Sequence, residues 1–100
     1  MKYNKLVRNN IIEIIEGKGE KASYHVASYK EYRKKLNEKL LEEVNEFLEA
    51  ESIKEMADIF EVITALLELN GWKIDEVIAI QKEKQEKRGG FDKRIILEES

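Results

Sequence analysis

The chain has 100 residues, 42% of them hydrophobic and 39% charged, with no proline, no cysteine and a formal charge of −3. That length allows one domain, residues 1–100, with a core only marginally sufficient by itself, so a partner chain is expected to help. The missing cysteines exclude a disulfide framework and a thiolate metal site; no apolar run approaches the roughly twenty residues of a membrane span, the opening MKYNKLVRNN lacks a signal peptide's apolar centre, and the slight acidic excess argues against a long nucleic-acid footprint.

These exclusions lead us to expect a cytoplasmic protein with neither a nucleic-acid nor a membrane partner, and any metal on it must be held by oxygen. Residues 2–16 mix short apolar clusters with a helix from about Asn10 that Gly17 and Gly19 terminate. Residues 22–27 (ASYHVA) read as a short strand, and residues 94–97 (RIIL) as its pairing partner in a minor two-stranded sheet. Ser28 followed by Glu31 makes a capping box, opening a helix to about Glu51 that carries Tyr32, Leu36, Leu40, Val44, Phe47 and Leu48. Ser52 with Glu55 repeats the signature, and the second long helix continues through Leu69 until Asn70-Gly71 stops it. So short a connection makes the two helices antiparallel neighbours. A further helix over residues 74–88 ends at Gly89-Gly90. The fold class is therefore all-α, with about four helices around one antiparallel hairpin.

The hairpin carries an unusual set of acids. On its second helix Glu55, Asp58, Val62, Ala65 and Leu69 recur at steps of three and four, a continuous seam of the kind that faces another helix. That helix is also apolar through Met56, Ile59, Phe60, Ile63 and Leu67, a face expected to pack inside the chain, leaving Val62, Ala65, Leu66 and Leu69 for a second subunit. On the first helix Leu36, Leu40, Glu43, Phe47 and Ala50 form the matching seam, with Glu46 one turn beyond Glu43 and Glu42 turned further toward solvent. Glu43, Glu46, Glu55 and Asp58 thus gather near the tight connection. Unpaired carboxylates crowded there would cost on the order of several kcal/mol and take up protons, a conflict that a bound cation removes. All-carboxylate ligation with positions left for water suits Mg²⁺ or Mn²⁺, and magnesium typically joins a few protein carboxylates to substrate phosphates. Taken singly, Glu55 has a structural alternative as the third residue of its capping box, and Glu42 and Glu46 as solvated surface charges.

The spacing Glu42-Glu43-x-x-Glu46 followed by Glu55-x-x-Asp58 resembles the EExxE and ExxD motifs of the MazG-like all-α nucleoside triphosphate pyrophosphohydrolases. The opening YNKLVRNNIIEII is similar to the YNKLVRDKIPEII start of a phosphoribosyl-ATP pyrophosphohydrolase-like branch, and RGGFDKRIIL to its ending, so the resemblance spans nearly the whole chain. Asn9 and Ile12 depart from that branch, which commonly has Asp and Pro there, and neither position belongs to the metal motif.

The resemblance implies Mg²⁺-dependent hydrolysis of a nucleotide at its α-β phosphoanhydride, giving a monophosphate and pyrophosphate. It gives Glu43, Glu46, Glu55 and Asp58 as metal ligands, and Glu42 as a second-metal ligand or water-orienting base. Acids alone repel a polyphosphate, so cations must approach from elsewhere; the candidates are Lys5, Arg8, Lys84 and Arg88, with the Gly89-Gly90 amides. For Lys84 and Arg88 the alternative is simple complementation of a helix C-terminus. Trp72, Tyr3, Phe91 and Tyr24 are read as core or interface before base stacking, and the lone His25 receives no catalytic role. The rival substrate is phosphoribosyl-ATP, and the rival class is a non-catalytic helical interaction module. Burying three or four side chains of the second long helix across a two-fold axis would supply on the order of 5 to 10 kcal/mol before association costs. The expected assembly is a homodimer or dimer of dimers, in which two hairpins make a four-helix bundle.

Overall fold

A computed structural model describes residues 4–100. Four helices follow one another, α1 (Ile11–Gly17), α2 (Tyr29–Glu49), α3 (Ile53–Asn70) and α4 (Ile74–Arg88). Their ends are set by local chemistry. Ser28 Oγ accepts from the Glu31 amide and Ser52 Oγ from the Glu55 amide, each at 3.2 Å, so both long helices start where a serine supplies the missing acceptor. Gly71 closes α3 with a left-handed φ of 69°, and the Gly71 and Trp72 amides bond back to the Glu68 and Leu67 carbonyls at 3.2 and 3.0 Å, the pairing of a Schellman cap.

With only residues 50–52 between them, α2 and α3 fold back as an antiparallel pair, and this is the one extensive helix–helix packing among the described residues. Its interior is narrow. Leu36 is 2% exposed and Val62 6%, and among the described residues they are the buried apolar ones; Glu43, also 6% exposed, is buried with them. The face of α3 that meets α2 is therefore the seam containing Glu55, Asp58 and Val62, which reverses the expected arrangement. Val62 lies inside the hairpin, while Phe60 stands 62% exposed and Met56 and Ile63 are at the surface beside it. Both faces of α3 are apolar, and the seam that matches α2's own, with Leu36 and Glu43 opposite, wins the contact.

The expected two-stranded sheet is not formed: among the described residues neither 22–27 nor 94–97 is in a strand. Tyr24 and Val26 in one segment and Ile95 and Ile96 in the other favour strand, but without a ladder partner that propensity has nothing to act on. Beyond Asn70 every residue is exposed, Ile74, Val77, Ile78 and Ile80 of α4 among them. The radius of gyration of 18.1 Å exceeds the roughly 13 Å of a compact 100-residue domain. Trp72, Tyr24 and Phe91 are not core residues of this chain, since all three are exposed, and Tyr3 lies outside the described residues.

Candidate metal centre

The acids meet where the hairpin is joined. Glu43 projects from the last third of α2 on the same face as Leu36 and Leu40, and Glu55 and Asp58 project toward it from the first turns of α3. One carboxylate oxygen from each of Glu43, Glu55 and Asp58 lies within 4.8 Å of the others. Oε2 of Glu43 and Oε2 of Glu55 are buried and accept no hydrogen bond. Leaving a buried acceptor unsatisfied costs about 1–3 kcal/mol, more for a charged group, so these two oxygens need an explanation that packing does not give.

Glu55 also decides between its two readings. Its amide is capped by Ser52, but no bond from its carboxylate back to the Ser52 amide is present; the carboxylate turns into the cluster instead. Glu46 is exposed, one turn beyond Glu43, and is not among the three converging residues. It still acts on Glu43. Burial pushes the Glu43 carboxyl above its ordinary 4.5, and the neighbouring Glu46 carboxylate pushes it further, against a smaller opposing pull from Lys39.

Cations ring the cluster. Lys39 Nζ, one turn before the acids, lies 3.4 Å from Glu43 Oε1 and 3.6 Å from Glu42 Oε1, while Lys5 Nζ reaches Glu42 Oε1 at 3.2 Å. Burial alone would raise the Glu42 carboxyl, but the bonds and charges of Lys5 and Lys39 outweigh it and hold it below 4.5, so Glu42 is an anion at neutral pH. Arg8 Nη2 donates to Asp58 Oδ1 at 2.9 Å. Lys39 was absent from the sequence candidates, although its i, i+3 and i, i+4 spacing to Glu42 and Glu43 is the signal that finds it.

The structure does not bring Lys84 and Arg88 to this end. They stand on α4, which begins at the far end of α3, about 18 Å along the helix from Asp58, and among the described residues neither forms an ion pair with the acids. The Gly89 amide is already engaged, donating to the Gln85 carbonyl at 2.8 Å as α4 ends. His25 pairs with Glu31 at 2.9 Å, at the opposite end of α2. An open groove of about 540 Å³, lined by Tyr29, Tyr32, Arg33, Ala65, Glu68 and Leu69, also lies at that opposite end, about 16 Å along α2 from Glu43.

The donor set fits a hard divalent cation: three carboxylates, two with orphaned oxygens, on two rigid helices and with no softer ligand present. The sequence profile of the phosphoribosyl-ATP pyrophosphohydrolase family matches residues 10–85, a span that includes all five acids. No curated protein and no solved structure matches the chain. The chain belongs to the phosphoribosyl-ATP pyrophosphohydrolase family, within the MazG-like all-α nucleoside triphosphate pyrophosphohydrolases. Membership brings pyrophosphohydrolase chemistry on nucleotides as a class and, typically for the family, dependence on a metal.

Proposed function

We propose that this member of the phosphoribosyl-ATP pyrophosphohydrolase family hydrolyses a nucleotide at its α-β phosphoanhydride with Mg²⁺, releasing a nucleoside monophosphate and pyrophosphate. The observation that carries the reading is the pair of buried, unbonded oxygens on Glu43 and Glu55 beside Asp58. Glu43, Glu55 and Asp58 hold the cation, and Glu46 completes the set from the adjacent turn. Bound there, Mg²⁺ supplies neutralisation of phosphate charge and acidification of a coordinated water. Mn²⁺ has the same ligand preference.

The protein's own groups do the rest. Lys5 and Lys39 keep Glu42 ionised and fixed, so it accepts a hydrogen bond from the attacking water and orients it in line with phosphorus. Lys5 and Arg8 are the phosphate contacts nearest the acids; Lys84 and Arg88 can serve only from α4 of a second copy or after α4 moves.

A second copy is part of the proposal. Phe60 and Met56 on α3, with Ile74, Val77 and Ile78 on α4, form apolar surface that a soluble chain ordinarily covers. A homodimer, alone or paired into a tetramer, covers it and leaves the acid cluster at the rim of a four-helix bundle.

The deciding assay measures pyrophosphate released from a panel of nucleoside triphosphates and phosphoribosyl-ATP, with Mg²⁺ and with EDTA. Activity on at least one member that vanishes in EDTA and in Asp58→Ala supports the proposal. A folded Asp58→Ala variant as active as the parent refutes the site, and no activity on any member favours a binding module.

A further inference from the structure

Residues 4–8 cross the acid end as a strap, held at three points. The Asn4 carbonyl accepts from Lys35 Nζ at 2.7 Å, Lys5 Nζ donates to Glu42 Oε1 at 3.2 Å, and Arg8 Nη2 donates to Asp58 Oδ1 at 2.9 Å. The first two anchors are on α2 and the third is on α3. Lys5 and Arg8 also precede the span shared with the family profile, which begins at residue 10.

The Arg8–Asp58 bond sits badly as a structural staple. Its side chains are 57% and 33% exposed, and a one-donor ion pair in solvent contributes little to stability. Its position matters more than its strength. Asp58 is one of the three carboxylates that converge, and the other two carry buried oxygens with no partner. A guanidinium on that carboxylate lowers the repulsion among the three anions while no cation is present, and it competes with any cation that arrives. It has five N–H donors in a planar fork suited to phosphate, of which the Asp58 bond uses one.

Resting on the metal-site reading above, we propose that Arg8 is a displaceable counter-ion of Asp58: it holds the carboxylate while the centre is metal-free, yields it when a divalent cation binds, and then grips the phosphates of the nucleotide. Metal binding and phosphate binding are thereby coupled through one side chain. Arg8 is a positioning group in the first state and a substrate contact in the second.

The test is calorimetric titration of the full chain with Mg²⁺ alone, then with inorganic tripolyphosphate at saturating Mg²⁺, for the parent, Arg8→Ala, Arg8→Lys and Lys5→Ala. Arg8→Ala should bind Mg²⁺ alone about three- to tenfold more tightly, because its competitor is gone, yet bind magnesium tripolyphosphate about tenfold more weakly. Arg8→Lys should fall between, since an ammonium is a point charge without the fork. Lys5→Ala, whose partner Glu42 is outside the three-carboxylate group, should change Mg²⁺ affinity less than Arg8→Ala does. Unchanged or weaker Mg²⁺ binding in Arg8→Ala overturns the counter-ion role, as does an equal gain in Lys5→Ala. A parent chain that binds no Mg²⁺ under either condition instead overturns the metal site itself.

Discussion

The joined end of the α2–α3 hairpin and the α4 region are built from similar residue types but behave differently. In the hairpin two serine caps, a three-residue connection, a buried Leu36 and Val62 and the ion pairs of Lys5, Arg8 and Lys39 tie α2 and α3 within one chain, while two carboxylate oxygens at the joined end stay unbonded. In α4 the helix itself is complete, with a Glu76 carboxylate accepting from the Lys73 amide at its start and Lys87 and Arg88 in its last turn, yet its isoleucines and valine touch water. The lesson is that local signals specify a helix without specifying what it packs on. The first region packs within one chain, and the second leaves its apolar residues exposed there.

The sharpest break in that contrast comes from paired truncations. Leu36→Ala, inside the hairpin, should cost about 2–5 kcal/mol in denaturant unfolding. Ile78→Ala on α4 should cost less than about 0.5 kcal/mol at concentrations where the chain is a monomer, with the loss growing as concentration rises. Equal losses at every concentration would show that α4 already packs within its own chain. Next in size is Phe60→Lys, which places a charge on the exposed face of α3. It should weaken self-association by about 100-fold in sedimentation equilibrium, from losing one buried Phe per subunit. A variant that associates like the parent would assign the interface elsewhere.

Ser52→Ala tests the hairpin at lower stakes. Losing the acceptor for the Glu55 amide should cost about 1 kcal/mol, read from a thermal melt, and should loosen metal binding because Glu55 is carried by that turn. The smallest effect is in pH. The Glu43 carboxyl is raised in the folded chain by burial and then by Glu46, so its contribution favours folding fully below the unfolded value near 4.5 and is lost as pH climbs through the raised value. In EDTA, Glu43→Gln should therefore melt higher than the parent above that window, with the gap closing toward pH 4.5. With Mg²⁺ the order should invert, because the cation requires the ionised Glu43.

Much of this was legible in the residues. Ser28 with Glu31, Ser52 with Glu55 and Asn70-Gly71 mark three helix ends that the structure reproduces, since each is a bond or a backbone conformation within a few residues. The convergence of Glu43, Glu55 and Asp58 also follows from helical spacing plus a short connection. What spacing could not decide was which apolar face of α3 turns inward, because Val62 and Phe60 are equally good core residues until α2's seam is laid against them. The strands over residues 22–27 and 94–97 failed for the same reason, as a strand is a property of two segments. Lys39, one turn before the acids, reaches two of them, a contact that follows from its i, i+3 and i, i+4 spacing rather than from the sign patterns at the chain's ends.

The three-residue connection has a further consequence, for the order of events in folding. Closing so short a loop forfeits little chain entropy, so the hairpin is the natural nucleus, and Glu43 and Asp58, fifteen positions apart, are brought together as it forms. The mutual repulsion of the acids is then felt on the way up the folding barrier, not after it. A cation that relieves this repulsion should speed refolding and leave unfolding nearly unchanged, the kinetic mark of an interaction already present in the transition state. Stopped-flow refolding with and without Mg²⁺ reads this directly, and an ion that only slowed unfolding would place the closing of the acid end last.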